Sequence, residues 1–133
     1  MMESPALIEQ VRWLYEAALV RFDYEGFAAR LHPECEFRNP DHAIEPGVRR
    51  GPQEVCRVFE GLNEMFEYEG AGVEEIRALD DRVVVAYRAR GKSRASGIPI
   101  DQAFGHLWVF EDGKVRILEW FSSFHEALEA ASP

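Results

Sequence analysis

Between Val73 and Ser122 the chain changes character. Val, Ile, Tyr, Phe and Trp dominate, interrupted by Asp80-Asp81, by GKSRASG over 91–97 and by Asp112-Gly113. Branched and aromatic residues fit a pleated, half-buried surface, and Asp-Gly is a two-residue hairpin signal. The pattern predicts four strands in a meander, at 73–79, 82–91, 98–111 and 114–122. Strands of ten or more residues in a chain of 133 residues must bend. A strongly curved sheet closed by helices encloses a cone, and a cone that side chains cannot fill is a pocket.

Upstream of Gly72 the apolar period is helical. Ser4-Pro5 reads as a helix start, a hydroxyl cap followed by a proline whose fixed φ suits the first turn. Leu7, Val11, Leu14, Ala18 and Phe22 then recur every three or four residues, with Tyr15 beside the stripe. Asp23 caps a short second helix through Phe27 and Leu31, which His32-Pro33 stops because a residue before proline avoids the helical region. A strand over Cys35–Asn39 follows. The segment 40–51, PDHAIEPGVRRG, has no period and reads as a long loop, of the kind that borders sites.

Gly51-Pro52 opens a third helix whose face is Val55, Val58, Phe59, Leu62 and Phe66. Ser123 with Glu126 forms a capping box for a last short helix over His125–Ala131. Helices early and strands late argue an α+β class. The expected architecture is one domain over 1–133, with a curved antiparallel or mixed sheet closed into a cone by the N-terminal helices.

Charge narrows the partners. With 24 acidic against 15 basic residues the net charge is −9, so a polyphosphate would meet net repulsion and no nucleic-acid partner is expected. The basic spots at Arg49-Arg50 and along Arg88, Arg90, Lys92 and Arg94 read as solvated or interface surface. No apolar run approaches the ~18 residues that span a bilayer, so no membrane partner is expected. Cys35 and Cys56 show neither CxxC spacing nor a secretory leader, which suggests a reduced, cytoplasmic protein.

Sharper motifs fail. GKS at 91–93 lacks the upstream glycine of a phosphate loop, where Ala86 stands, and no GxSxG elbow exists. Histidines at 32, 42, 106 and 125 have no metal-ligand spacing, so neither metal nor other cofactor is expected. Neither cysteine has a histidine placed beside it by sequence, so covalent catalysis has no carrier.

Three stretches, WLYEAALVRFDYEGFAARLHPECEFRNP (13–40), EPGVRRGPQEVCRVFEGL (45–62) and GHLWVFEDGKVRILEWF (105–121), together resemble the SnoaL-like branch of the nuclear-transport-factor-2-like superfamily, named for a polyketide cyclase. The resemblance implies a cystatin-like α+β barrel over nearly the whole chain. That cone hosts isomerases, cyclases, dehydratases, epoxide hydrolases and non-catalytic modules, so it implies fold more than reaction. Ketosteroid isomerase, of the same fold, uses an aspartate base with a tyrosine and a protonated aspartate as oxyanion donors. By motif the tyrosine falls on Tyr15, the base on Asn39 and the protonated acid on His106. Asn39 has no useful basicity, so that enzyme's own proton transfer is not expected here.

The resemblance also orients the strands. If His106 faces inward, period two sends Trp108 and Phe110 with it and turns Leu107 and Val109 outward. Phe37 shares a face with Asn39, and Leu118, Trp120 and Ser122 line the same cavity unless a bulge exchanges the sets. His106 is then either a buried, satisfied imidazole or a general base kept neutral by a dry cone. Tyr15 is core or an oxygen-polarising donor; Asn39 shapes a turn or holds substrate or water.

His42, Asp41 and Glu45 are solvated loop residues or gate the mouth, and Trp13 and Trp120 pack the core or floor the cavity. The expected catalytic set is therefore His106, Tyr15 and Asn39. The expected pocket is Trp13, Phe37, His42, Trp108, Phe110, Leu118 and Trp120. Two functions stay open: a cofactor-independent isomerase, cyclase, dehydratase or hydrolase acting on a small apolar oxygen-bearing molecule, or a non-catalytic ligand-binding or dimerisation module. A homodimer through the outer face of the sheet is expected, because Val84, Ala86 and Leu107 would otherwise be wet there, with Arg88 and Arg90 free to pair with acids across it.

Overall fold

The computed structural model describes residues 4–43 and 46–132. The elements run α1 (Ser4–Leu19), α2 (Tyr24–Ala29), β1 (Leu31–Asn39), β2 (Gly47–Arg50), α3 (Pro52–Met65), β3 (Phe66–Tyr68), β4 (Val73–Leu79), β5 (Arg82–Ser93), β6 (Pro99–Glu111), β7 (Lys114–Phe121) and α4 (Phe124–Ala131). The class is α+β, with one curved, unclosed mixed sheet in the order β2-β1-β7-β6-β5-β3, and β4 beside β3 on the far edge of β5. Only the β1–β7 pair is parallel.

The four expected strands of the meander stand within two residues of their predicted bounds. Asp112 and Gly113 both take positive φ, 55° and 76°, as the hairpin turn requires. Three local expectations change. α2 stops at Ala29 and Leu31 already belongs to β1, where it pairs with Val115. Part of the long loop, Gly47–Arg50, lies antiparallel on β1 as β2. Phe66 does not end α3 but starts β3, drawn into pairing with Ser93 of the overlong β5.

The first helix buries Leu7, Val11, Leu14, Tyr15 and Ala18 against the concave face of the sheet. Phe22, expected on that stripe, lies past the helix end at φ 56° and is 49% exposed. Asp23 caps α2 by accepting from Gly26 N, and Ser123 caps α4 by accepting from Glu126 N. The Ser4 hydroxyl lies outside the described side chains.

Inside and outside alternate as predicted along β6: His106, Trp108 and Phe110 enter the main core, while Leu107 and Val109 face the other side. The bulge between β6 and β7 falls at Arg116, before Leu118 and Trp120, so those two keep their inward face. The outer face holds a correction. Val84 and Leu107 are not left wet for a second subunit; α4 covers them with Ala127 and Ala131, and Phe124 and Leu128 flank the contact. Farther along, Arg88 and Arg90 pair with Asp101 of their own chain at 2.5 and 3.7 Å.

α4 is tied down by Arg82, which donates to the Ala131 carbonyl at 2.9 Å, and by the absence of a side chain at Gly105. A Cβ there would stand 2.1 Å from the Ser123 carbonyl oxygen. Gly105→Ala is therefore expected to lift the start of α4 and cost about 1–3 kcal/mol of stability. Thermal unfolding measures the loss, and increased binding of a hydrophobic dye reports uncovering of Val84 and Leu107.

Candidate functional site

The concave face opens into a cavity of about 820 Å³ between α3 and the inner surface of the sheet. Phe37, Tyr68, Tyr87, Phe104 and Trp120 supply aromatic wall; Asn39, Gln102 and Ser122 supply polar points; Glu54 and Arg57 of α3 bring charge. His42 lines it from the loop after β1, with Nε2 2.9 Å from Ser122 Oγ. Burial pushes the Tyr68 phenol up to about 12 and Tyr87 higher still, so both rings face the cavity as neutral groups. Both cysteines are free and buried, and burial raises their thiols, Cys56 to about 11. Neither is a nucleophile at neutral pH.

Beneath this cavity lies a void of about 10 Å³, the room of about one water molecule. Tyr15, His106, Trp108 and Leu118 border it, and Leu62, Tyr87 and Trp120 border both spaces. The predicted catalytic residues are thus divided: Tyr15 and His106 meet, while Asn39 stands on the wall of the larger cavity. Of the expected pocket residues, Phe37, His42 and Trp120 line the main cavity, and Trp108 and Leu118 line only the void. Phe110 is core. Trp13 lines neither space; it packs at the edge of the main core, stacked under the guanidinium of Arg30 at 3.6 Å and near that of Arg21 at 5.1 Å. Glu45, a candidate gate, lies outside the described residues, and Asp41 is exposed.

Proton counting fixes the chemistry of the buried group. Trp108 Nε1–H, a donor only, donates to Tyr15 Oη at 2.9 Å. Burial holds the Tyr15 phenol well above its ordinary range, so its oxygen keeps its hydrogen. Tyr15 Oη lies 2.6 Å from His106 Nδ1, the one acceptor that its hydrogen meets among the described residues, so the phenol donates to Nδ1. A neutral imidazole then carries its hydrogen on Nε2. His106 is 1% exposed, and desolvation lowers it to about 3, so it is neutral. The expectation that it accepts a proton gives way to a donor role: Nδ1 is already engaged, and a group at about 3 is a feeble base at neutral pH.

His106 is clasped between Trp120, with ring centroids 4.3 Å apart, and Tyr87, at 4.8 Å. Its Nε2 and Trp120 Nε1 are both buried without a hydrogen-bond partner. Sequence reasoning missed Phe104 and Gln102, although the same alternation run backwards from His106 selects both. Tyr87 and Tyr68 carried no such signal, because only the β5–β6 and β3–β5 registers bring them to this wall. Away from the site, His32, Glu111 and Asp112 bring ligand-type atoms within 4.8 Å of one another, but Arg116 already faces Glu111 at 3.8 Å. Among the described residues no helix is long and apolar enough to cross a membrane.

The SnoaL-like domain model matches residues 11–120, so the chain belongs to the SnoaL-like family. Its fold is that of NTF2-like proteins. A Burkholderia xenovorans LB400 NTF2-like protein superposes with a TM-score of 0.78 at 20% identity, covering 99% of this chain and 100% of that one. TerC, co-crystallised with polyporic acid, gives 0.71 at 24% identity over 92% and 97%. An NTF2-like protein of Anabaena variabilis gives 0.73 at 14% over 91% and 92%. No curated protein matches the chain in sequence.

Two outcomes test the buried group. In the unfolded chain the imidazole takes up a proton near 6.5, in the folded one only near 3. Between those values the unfolded state binds more protons, so stability is full above about pH 6.5 and falls as pH drops toward 3. His106→Gln is expected to flatten that slope by up to roughly 1 kcal/mol per pH unit, read from denaturant unfolding at stepped pH. Tyr15→Phe leaves the Trp108 indole N–H buried and unpaired, and is expected to cost about 1–3 kcal/mol in the same assay at neutral pH.

Proposed function

We propose that this protein is a cofactor-independent acid/base enzyme acting on a small, largely apolar, oxygen-bearing molecule, by isomerisation, cyclisation, dehydration or hydrolysis. The observation that carries the reading is the cavity of about 820 Å³, aromatic on its walls and dotted with a few polar groups, a size and lining suited to one small organic molecule. TerC, of the same fold, is a neighbour co-crystallised with polyporic acid, which agrees with a small-molecule role.

Within that reading Asn39 orients the oxygen-bearing end of the substrate from the β1 wall. His42, held by Ser122, moves the proton, since it is the one imidazole lining the cavity. Two free thiols agree with a reducing, cytoplasmic setting. A homodimer through the sheet's outer face is part of the proposal, using the strip of Arg88, Arg90 and Asp101 that stays at least partly exposed; light-scattering mass tests it.

The functional test is a thermal-shift screen of a metabolite library followed by incubation of each stabilising compound with the protein. Apolar compounds bearing a carbonyl or hydroxyl are expected to raise the unfolding temperature and to be converted. Ala89→Phe, which narrows the cavity from β5, is expected to reduce the shift. His42→Gln is expected to lower turnover about 100-fold or more while leaving binding nearly intact. Stabilising compounds recovered unchanged would remove the enzymatic part and leave a binding module.

A further inference from the structure

Among the described residues, two buried N–H groups beside the small void meet no acceptor. One is His106 Nε2–H, whose identity as a donor follows from the Tyr15 and Trp108 hydrogens behind it. The other is Trp120 Nε1–H, which can only donate. Their rings stack at 4.3 Å with an interplanar angle of 25°, and both residues border the same small void. A buried donor left unpaired costs the desolvation of its hydrogen, and two such donors side by side are the mark of an acceptor that arrives from outside. Each residue borders the void of about 10 Å³, which has room for a single oxygen atom.

We infer that His106 and Trp120 form a two-donor subsite that binds one acceptor oxygen of the ligand, a carbonyl or phenolate, inserted from the main cavity past Leu62, Tyr87 and Trp120. The inference rests on the reading of the cavity as a small-molecule site and names the functional group that the molecule must carry. An sp² oxygen has two lone pairs and so can take both hydrogens; an alkyl or aryl C–H at the same place would leave both unpaired. Tyr15 is a positioning residue here. Its hydroxyl is spent on Nδ1, fixing the imidazole with hydrogen on Nε2, and Trp108 in turn orients that hydroxyl. Because neither donor titrates near neutrality, binding of a carbonyl acceptor is expected to be insensitive to pH between about 6 and 8.

The test uses two ligands of nearly one shape, 1-tetralone and tetralin, which differ in a carbonyl oxygen. By calorimetry the full chain is expected to bind tetralone at least about tenfold more tightly than tetralin, from two hydrogen bonds gained. Trp120→Phe is expected to reduce that preference about fivefold, with the affinity for tetralin nearly kept. In ¹⁵N–¹H spectra of the unmutated protein, the Trp120 indole and His106 imidazole N–H signals are expected to shift with tetralone and not with tetralin, a readout that needs no variant to fold. Equal binding of the two ligands, or unmoved N–H signals at saturation with tetralone, would overturn the subsite while the cavity reading stands. Failure of both ligands to bind would sink the cavity reading and the subsite with it.

Discussion

The long antiparallel ladder between β5 and β6, running from Arg82↔Val109 to Lys92↔Pro99, governs this molecule because it sets which side chains share a concave surface. Strands of 12 and 13 residues cannot stay flat in a sheet with a right-handed twist, and their curl makes one face a hollow and the other a ridge. The hollow receives Val83, Val85, Tyr87 and Ala89 from one strand and Phe104, His106, Trp108 and Phe110 from the other. The ridge receives Val84 and Leu107 at one end and a strip of arginines and an aspartate at the other. α1 then packs its stripe into the deep end of the hollow, and α3 roofs the shallow end without filling it. The cavity is the part of the cone that the helices do not reach.

At the deep end the demands of packing and of polarity coincide. A tyrosine from α1, a tryptophan and a histidine from β6 bring four polar atoms into a region with almost no solvent, where the indole nitrogen, the phenol oxygen and Nδ1 satisfy one another and Nε2 is left over. They do so in a single direction, from indole to phenol to imidazole. That direction makes the neutral imidazole a donor. The wet end is ordinary by comparison: an imidazole bonded to a serine, an asparagine, a glutamine and charged residues of α3 around aromatic walls.

Much of this is legible in the sequence. The four strands of the meander could be read because Asp-Gly and Asp-Asp are local signals, and alternation along β6 follows from strand geometry alone. The fold class followed from the order of the elements. What could not be read depended on partners distant in sequence. β2 and β3 are short, and they exist only because β1 and the overlong β5 offer edges to pair with. The separation of Asn39 from His106, and the engagement of Trp13 by two arginines at the edge of the core, depend on depth and on neighbours that periodicity does not measure. The apolar character of the outward face at Val84 and Leu107 is legible, and so is the last helix, but that the helix covers the face depends on a contact distant in sequence. The donor character of His106 Nε2 follows from the contacts of Tyr15 with Trp108 and Nδ1, which lie far apart in sequence.

The overlap between the indole–phenol–imidazole chain and the packing of α1 on the sheet carries a consequence for anyone altering this scaffold. Tyr15 is at once the anchor of a helix and the residue that sets a tautomer, so chemistry and foldedness cannot be varied independently at the narrow end. Random substitution there will yield unfolded chains before it yields new selectivities. The rim built from α3 and the start of β6 carries no such double duty, and new specificities are best sought in that quarter of the wall.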